Sequence, residues 1–193
     1  MESSFQVGKY FLPGLAIILS VILVDQYTKW LVIEALRVDS ADNTGFLHWL
    51  TSLHKLAYFI NDREDFDDKT LSPFLNLVVV WNQGISFGMM DSHSPGMALV
   101  FIAISLVIAL SMMIWLALST QKTVAISLSL IIGGALGNVA DRVRFDAVAD
   151  FLDFHIQRHH WPAFNVADSC IVIGAGILML ISLFGKEAPK RTI

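Results

Sequence analysis

The chain has 193 residues, 55% of them hydrophobic and only 16% charged, whereas a soluble domain carries roughly a quarter charged residues. The mean hydropathy is +0.62, and the apolar residues fall in long runs that a soluble core does not need. A net charge of −4 with no basic stripe argues against nucleic acid as a partner, and a single cysteine, Cys170, leaves no internal disulfide to form. Cys170 lies in an apolar run with no histidine near it in sequence, which favours packing over nucleophilic chemistry.

A transmembrane helix needs about 20 mostly apolar residues. The first candidate covers roughly 10–33: it is apolar up to Val24 and then carries Asp25 and Lys29. Its short N-terminal region with Lys9 resembles a secretory signal, but there is no small-x-small cleavage site and apolar residues resume at Trp30 to Ile33. The expectation is a retained anchor. Asp25 and Lys29 stand four apart on one helix face. They fit either a mutual ion pair at the membrane edge or a charged contact with a substrate's backbone or head group.

The segment 34–95 follows. Its acidic run, Asp62, Glu64, Asp65, Asp67 and Asp68, reads as a solvated loop surface, with a calcium site as the competing reading. Phe74 to Trp81 is short and β-branched and predicts a strand, and Asn82-Gln83-Gly84 predicts a turn after it. A strand fits here because this stretch can lie outside the hydrocarbon or be closed in by protein.

Gly96 to Leu118 contains no charge and predicts the second span. The third covers about 124–140, with Asn138 as its one strongly polar side chain. Gly133 and Gly137 form a small-xxx-small pattern that lets a neighbouring helix approach closely. Asn138, Asp141 and Arg142 follow at i, i+3 and i+4, on one face at the helix end; they fit either hydrogen bonds that hold helix ends together or a direct binding role. The fourth span covers 166–184, with Asp168 three residues in. Charge near the helix ends places the 119–123 loop and the tail with Lys186, Lys190 and Arg191 in the cytoplasm, and the 34–95 and 141–165 segments outside. The whole is read as one α-helical membrane domain, 1–193, with four transmembrane helices and a small extracytoplasmic β-rich cradle.

Charges inside a span cost about 2.5–3.5 kcal/mol near the bilayer centre, so each is a functional candidate. Asp150 and Asp168 flank the last loop, and a hairpin between the third and fourth spans brings them to one depth. Two carboxylates sharing a site do not both ionise easily, so one keeps a proton near neutral pH. That supplies a general base and a general acid, suited to activating water against an amide carbonyl. Asp146 and Asp153 are competitors for the same role. His155, His159, His160 and Asp153 invite a metal reading, with His155 and His159 on one helical face, but no H-E-x-x-H pattern is present and Trp161 and Pro162 fit an interfacial stretch instead.

Five blocks in order resemble the lipoprotein signal peptidases, the signal peptidase II family. They are Val24-Asp25-Gln26 with Lys29, Asn82-Gln83-Gly84 with Phe87, Gly133 through Arg142, Val148-Ala149-Asp150-Phe151, and Phe164-Asn165-Val166-Ala167-Asp168. The resemblance implies an aspartyl endopeptidase of the bacterial cytoplasmic (inner) membrane, active near the extracytoplasmic face. Such enzymes cut the signal peptide from a prolipoprotein just before a cysteine that carries a diacylglyceryl group. It implies Asp150 and Asp168 as the catalytic pair. Asp25, Lys29, Asn82, Gly84, Asn138, Asp141, Arg142, Asn165 and Ala167 then line or support the site. It further implies a lipid-modified prolipoprotein and membrane lipid as partners, inhibition by globomycin, and no metal or other cofactor. On this reading Asn138, Asn165 and Arg142 orient the carboxylates, and Trp81 to Phe87 clamp the substrate.

Three departures stand out: the stretch between Asp25 and Asn82 is longer than the family's usual one, Gln83 stands where members often have Thr, and the aspartate block reads Val-Ala-Asp instead of Val-Val-Asp. From other classes, a small carrier using Asp25, Asp141 and Asp168 as a proton or cation relay, and a metal-dependent hydrolase using the 155–160 histidines, remain as alternatives.

Overall fold

The computed structural model describes residues 8–38, 45–51, 66–84 and 96–184. Asp62, Glu64 and Asp65 of the acidic run, Phe87, and the basic tail residues lie outside the described residues. Among the described residues, four helices are long and apolar enough to cross a membrane: α1 (Phe11–Leu36), α3 (Met97–Leu118), α4 (Lys122–Phe145) and α5 (Val166–Phe184). Between α1 and α3 stands the short α2 (Phe46–Thr51).

The most apolar helix is not the most buried one. Helix α3 exposes Leu99, Val107 and Leu110, whereas α4 hides most of its surface and packs on α1, α3 and α5. Lipid tails accept the leucines of α3 without penalty, so close packing, and not apolar burial, selects the central helix. The glycines of α4 permit it. A Cβ at Gly133 would stand 2.7 Å from Val21 Cβ on α1, and one at Gly134 would strike the carbonyl oxygen of Ala167 at the start of α5. The glycine stripe thus serves two neighbours at once.

Two helices are longer than their apolar runs. Helix α1 continues past Ile33 to Leu36, and α4 continues past Ala140 to Phe145, so Asp141, Arg142 and Arg144 are helical. Helix α4 stops at Asp146, whose φ of 58° is left-handed and whose N–H donates to the Arg142 carbonyl.

At this end of the bundle sits an antiparallel sheet of β1 (Lys69–Ser72), β2 (Leu75–Asn82), β3 (Val148–Ile156) and β4 (His159–His160), in that order. The strand expected at 74–81 is β2. Its partner β3 falls where the sequence pattern predicts a loop: Asp150 and Asp153 interrupt the apolar pattern, and its first four residues are buried on both faces, so no alternation marks them. In register, Trp81 faces Ala149 and Val80 faces Asp150. The 155–160 histidines therefore lie on a hairpin and not on a helical face; His155 pairs with His160 across it, their rings 5.0 Å apart. Between sheet and helix ends, Ile33, Trp49, Phe145 and Ala149 form a core with Trp30, Phe46 and Trp81 packed against it.

Candidate active site

The site is built on a buried ionic cluster between α1 and α4. Lys29 Nζ lies 2.8 Å from Asp25 Oδ2 and 2.7 Å from Asp141 Oδ2. All three side chains are fully buried. Gly137 makes room for this: a Cβ there would be 2.8 Å from Asp25 Oδ2. The remaining acceptors are filled. Asp25 Oδ1 takes the Ala167 N–H at 2.9 Å, Asp141 Oδ1 takes Gln26 Nε2 at 2.7 Å, and Asp141 Oδ2 also takes the Ala149 N–H at 3.2 Å. A buried ion pair persists only when its lone pairs and protons are satisfied in this way. Asp25 and Asp141, which an ion relay needs open, are both closed onto Lys29.

Above the cluster stand Asp150 and Asp168. Backbone pairing brings their carriers together: Phe164 exchanges hydrogen bonds with Leu152 in both directions, which lays Asn165 beside β3. Asn165 then caps α5. Its Oδ1 accepts the Asp168 N–H at 2.9 Å, and Asp168 Oδ2 accepts the Asn165 N–H at 3.3 Å, a reciprocal capping box. With its oxygen so fixed, the Asn165 amide turns its Nδ2 to Asp150 Oδ1, 2.7 Å away. One amide therefore ties the two aspartates together.

Asn138 and Asn82 complete the arrangement by the same logic. Asn138 Oδ1 accepts from Lys29 Nζ (3.2 Å) and Asn165 Nδ2 (3.2 Å), so its Nδ2 is left to donate to Asp168 Oδ1 at 2.8 Å. Asn82 Oδ1 accepts the Gly84 N–H at 2.8 Å, and its Nδ2 donates to Asp150 Oδ2 at 2.9 Å. Gly84 has a φ of 95° and lies so close to the Phe101 ring that a Cβ would collide with it. Both conditions require glycine there.

Asp150 is 2% exposed. Burial, opposed by the Asn82 hydrogen bond and reinforced by the charge of Asp168, pushes its carboxyl from the ordinary 3.8 up to about 7. This is the environment that lets one carboxylic acid stay protonated at neutral pH beside another carboxylate.

The sequence-named residues are brought together. The Arg142 guanidinium lies 5.2 Å over the Phe101 ring and carries its charge among Asp141, Asp168 and Asp150, while asparagine amides make the hydrogen bonds to Asp150 and Asp168. The competitors point elsewhere: Asp146 ends α4, and Asp153 binds Asn76 Nδ2 at 3.0 Å and His160 Nδ1 at 2.9 Å. Among the described residues, no group of three His, Cys, Asp or Glu side chains is arranged to hold a metal ion. Two members of the network were not singled out from the sequence. Gln26 bridges the cluster, and Arg144 Nη1 donates to Gln26 Oε1 at 2.9 Å. The available signals were the adjacency of Gln26 to Asp25 and the spacing of Arg144 one helical turn beyond Asp141.

Comparison with known proteins agrees with this architecture. Residues 17–184 match the family described as signal peptidase (SPase) II. The lipoprotein signal peptidase of Polynucleobacter necessarius subsp. necessarius (strain STIR1) is 34% identical over 182 residues, covering 92% of this chain and 94% of that protein. The lipoprotein signal peptidase of Burkholderia thailandensis is 37% identical over 175 residues, covering 89% and 88%. In fold, the chain is similar to a solved bacterial membrane enzyme at a TM-score of 0.66 and 23% identity, over 97% of this chain and 98% of that one. The chain therefore belongs to the signal peptidase II family, and is a multi-pass membrane protease that removes signal peptides from prolipoproteins.

Proposed function

We propose that this protease is an aspartyl endopeptidase of the bacterial inner membrane. Asp150 and Asp168 are its catalytic pair, and it cuts immediately before the diacylglyceryl-modified cysteine of the prolipoprotein. The observation that carries the reading is the Asp150 carboxyl: nearly inaccessible, pushed up to about 7, and joined to Asp168 through Asn165.

The mechanism follows from one shared proton. The pair titrates as a unit, and near neutral pH it holds one ionised and one protonated carboxyl. A water between them gives a proton to the ionised carboxylate as its oxygen attacks the scissile carbonyl carbon. The protonated partner hydrogen-bonds the developing oxyanion. The tetrahedral intermediate then collapses, the C–N bond breaks, and the leaving amine takes the proton gained from the water. Asn82, Asn138 and Asn165 keep the carboxylates fixed while this happens, which limits reorganisation during reaction. Asp25, Lys29, Asp141 and Ala167 support these groups from below, and Gly84 shapes the turn that aims Asn82. Arg142 adds positive charge nearby.

The signal helix of the substrate lies among the spans with its acyl chains in the bilayer, so the scissile bond meets the aspartates at the extracytoplasmic boundary. A globomycin-type cyclic peptide occupies the same place. The test is processing of a lipid-modified precursor by purified Asp150→Asn and Asp168→Asn variants, with the cut located by mass spectrometry. Both variants are expected to be inactive. Near wild-type cleavage by either sinks the assignment, and a cut elsewhere than before the lipidated cysteine sinks the specificity.

A further inference from the structure

The longer stretch after α1 contributes α2, and α2 touches the ionic cluster through one residue. Arg144 Nη2 donates to the carbonyl oxygen of Trp49 in α2, while Arg144 Nη1 donates to Gln26 Oε1 at 2.9 Å. The guanidinium lies 4.0 Å from the centre of the Trp49 ring and 4.4 Å from that of Phe145. Trp49 is itself 3% exposed, packed with Ile33 and Ala149. Arg144 is thus gripped by a carbonyl and two rings on one side, and it presents its fork to Gln26 on the other.

Gln26 transmits that grip. With Oε1 occupied by Arg144, its Nε2 faces Asp141 Oδ1 at 2.7 Å. This sets the rotation of the Asp141 carboxylate, whose Oδ2 then meets Lys29 and the Ala149 N–H. The two branches end at the two aspartates. Lys29 orients Asn138, which donates to Asp168. Ala149 immediately precedes Asp150 on β3. Charge follows the same route: Asp25 and Asp141 are two carboxylates against one lysine, and Arg144 is the second cation.

We propose that Gln26 and Arg144 are positioning residues of the peptidase reaction, and that α2 is the clamp that holds Arg144 for that purpose. The role of the longer stretch is then to fix the rotation of Asp141, and through it both Asp150 and Asp168. This rests on the assignment of those two as the catalytic pair.

The experiment measures kcat and KM of precursor cleavage by the full chain in detergent–lipid micelles. The variants are Gln26→Met, Arg144→Met and Arg144→Lys, each normalised to folded enzyme. Gln26→Met is close in volume and keeps the helix. The expected result is a fall in kcat on the order of 10- to 100-fold, as a misplacement of the reacting groups produces, with KM within about twofold of wild type because no substrate contact is touched. Arg144→Lys, which keeps the charge but loses the fork, falls together with Arg144→Met. A kcat within about twofold of wild type in Gln26→Met overturns the proposal, as does one in Arg144→Met. Asp150→Asn and Asp168→Asn, run in parallel, separate the cases: activity there removes the catalytic pair itself, whereas inactivity there with wild-type behaviour in Gln26→Met removes only the clamp.

Discussion

Asp150→Asn is expected to change how stability depends on pH, and the size follows from the burial of one carboxyl. In the folded protein Asp150 titrates at about 7 in place of 3.8. The folded state therefore keeps a proton that the unfolded chain has released. The resulting destabilisation is absent below pH 3.8, grows through the window up to about 7, and is complete above it. At about 1.4 kcal/mol per pH unit, the roughly two units between about pH 5 and the folded titration amount to about 3 kcal/mol. Asparagine cannot ionise, so the variant escapes this loss. It has its own cost of about 1–3 kcal/mol, because its Nδ2 must face an amide donor from Asn82 or Asn165. That cost is independent of pH and cancels in the comparison. Unfolding free energies at about pH 5 and about pH 8 give the difference; denaturant titration in mixed micelles measures them, read by labelling of Cys170, the one cysteine of the chain and a half-buried one. The stability of wild type relative to Asp150→Asn should fall by about 3 kcal/mol from the lower pH to the higher. Parallel pH dependence in the two proteins refutes the buried, proton-holding carboxyl.

Three further outcomes are expected. Lys29→Met leaves Asp25 and Asp141 buried without the ammonium between them and should cost about 3–5 kcal/mol in unfolding free energy; a loss below about 1 kcal/mol in the same titration contradicts the ionic cluster. Gly137→Ala forces Asp25 aside, since the new Cβ falls 2.8 Å from its Oδ2, and should cost about 1–3 kcal/mol together with activity. Gly176→Ala, where a Cβ meets nothing within 4 Å, should be neutral or stabilising by up to about 1 kcal/mol, so equal effects of the two alanines speak against the close approach. Asn82→Ala removes a donor that favours ionised Asp150. Its kcat should drop on the order of 10- to 100-fold, and the alkaline limb should rise by about a pH unit; an unmoved limb disconnects Asn82 from the carboxyl.

The four helices were legible because their signal is chemical and long: about twenty apolar residues admit few other meanings. Their ends were less so. Apolar character stops at Ala140, but the helix goes on to Phe145 because Asp141 and Arg144 find partners inside the protein. Strand β2 was legible from Leu-Val-Val-Val, and β3 was not, since a strand carrying a buried carboxylate looks like a loop until its partner is known. The setting of Arg142 was hidden for the same reason. Spacing places it beside Asp141 on the helix, but only the neighbouring α3 shows the Phe101 ring beneath its guanidinium. Gln26 and Arg144 lay in view without a role, because their meaning depends on a carbonyl of α2 far away in sequence.

Asp168 sits at the third position of α5 and closes its capping box. From Val166 to Phe184 the helix runs 19 residues, about 28 Å at 1.5 Å per residue, close to the roughly 30 Å thickness of the hydrocarbon. The Asp168 carboxylate is thus pinned at one end of a rod about as long as the bilayer is thick. With Asp150 and Asp168 as the proposed catalytic pair, the membrane becomes a ruler: its thickness sets the height at which a peptide bond meets the aspartates, and so which bond of an anchored substrate is presented for cutting. In a thicker bilayer the rod is too short, and the carboxylate is drawn toward the lipid tails.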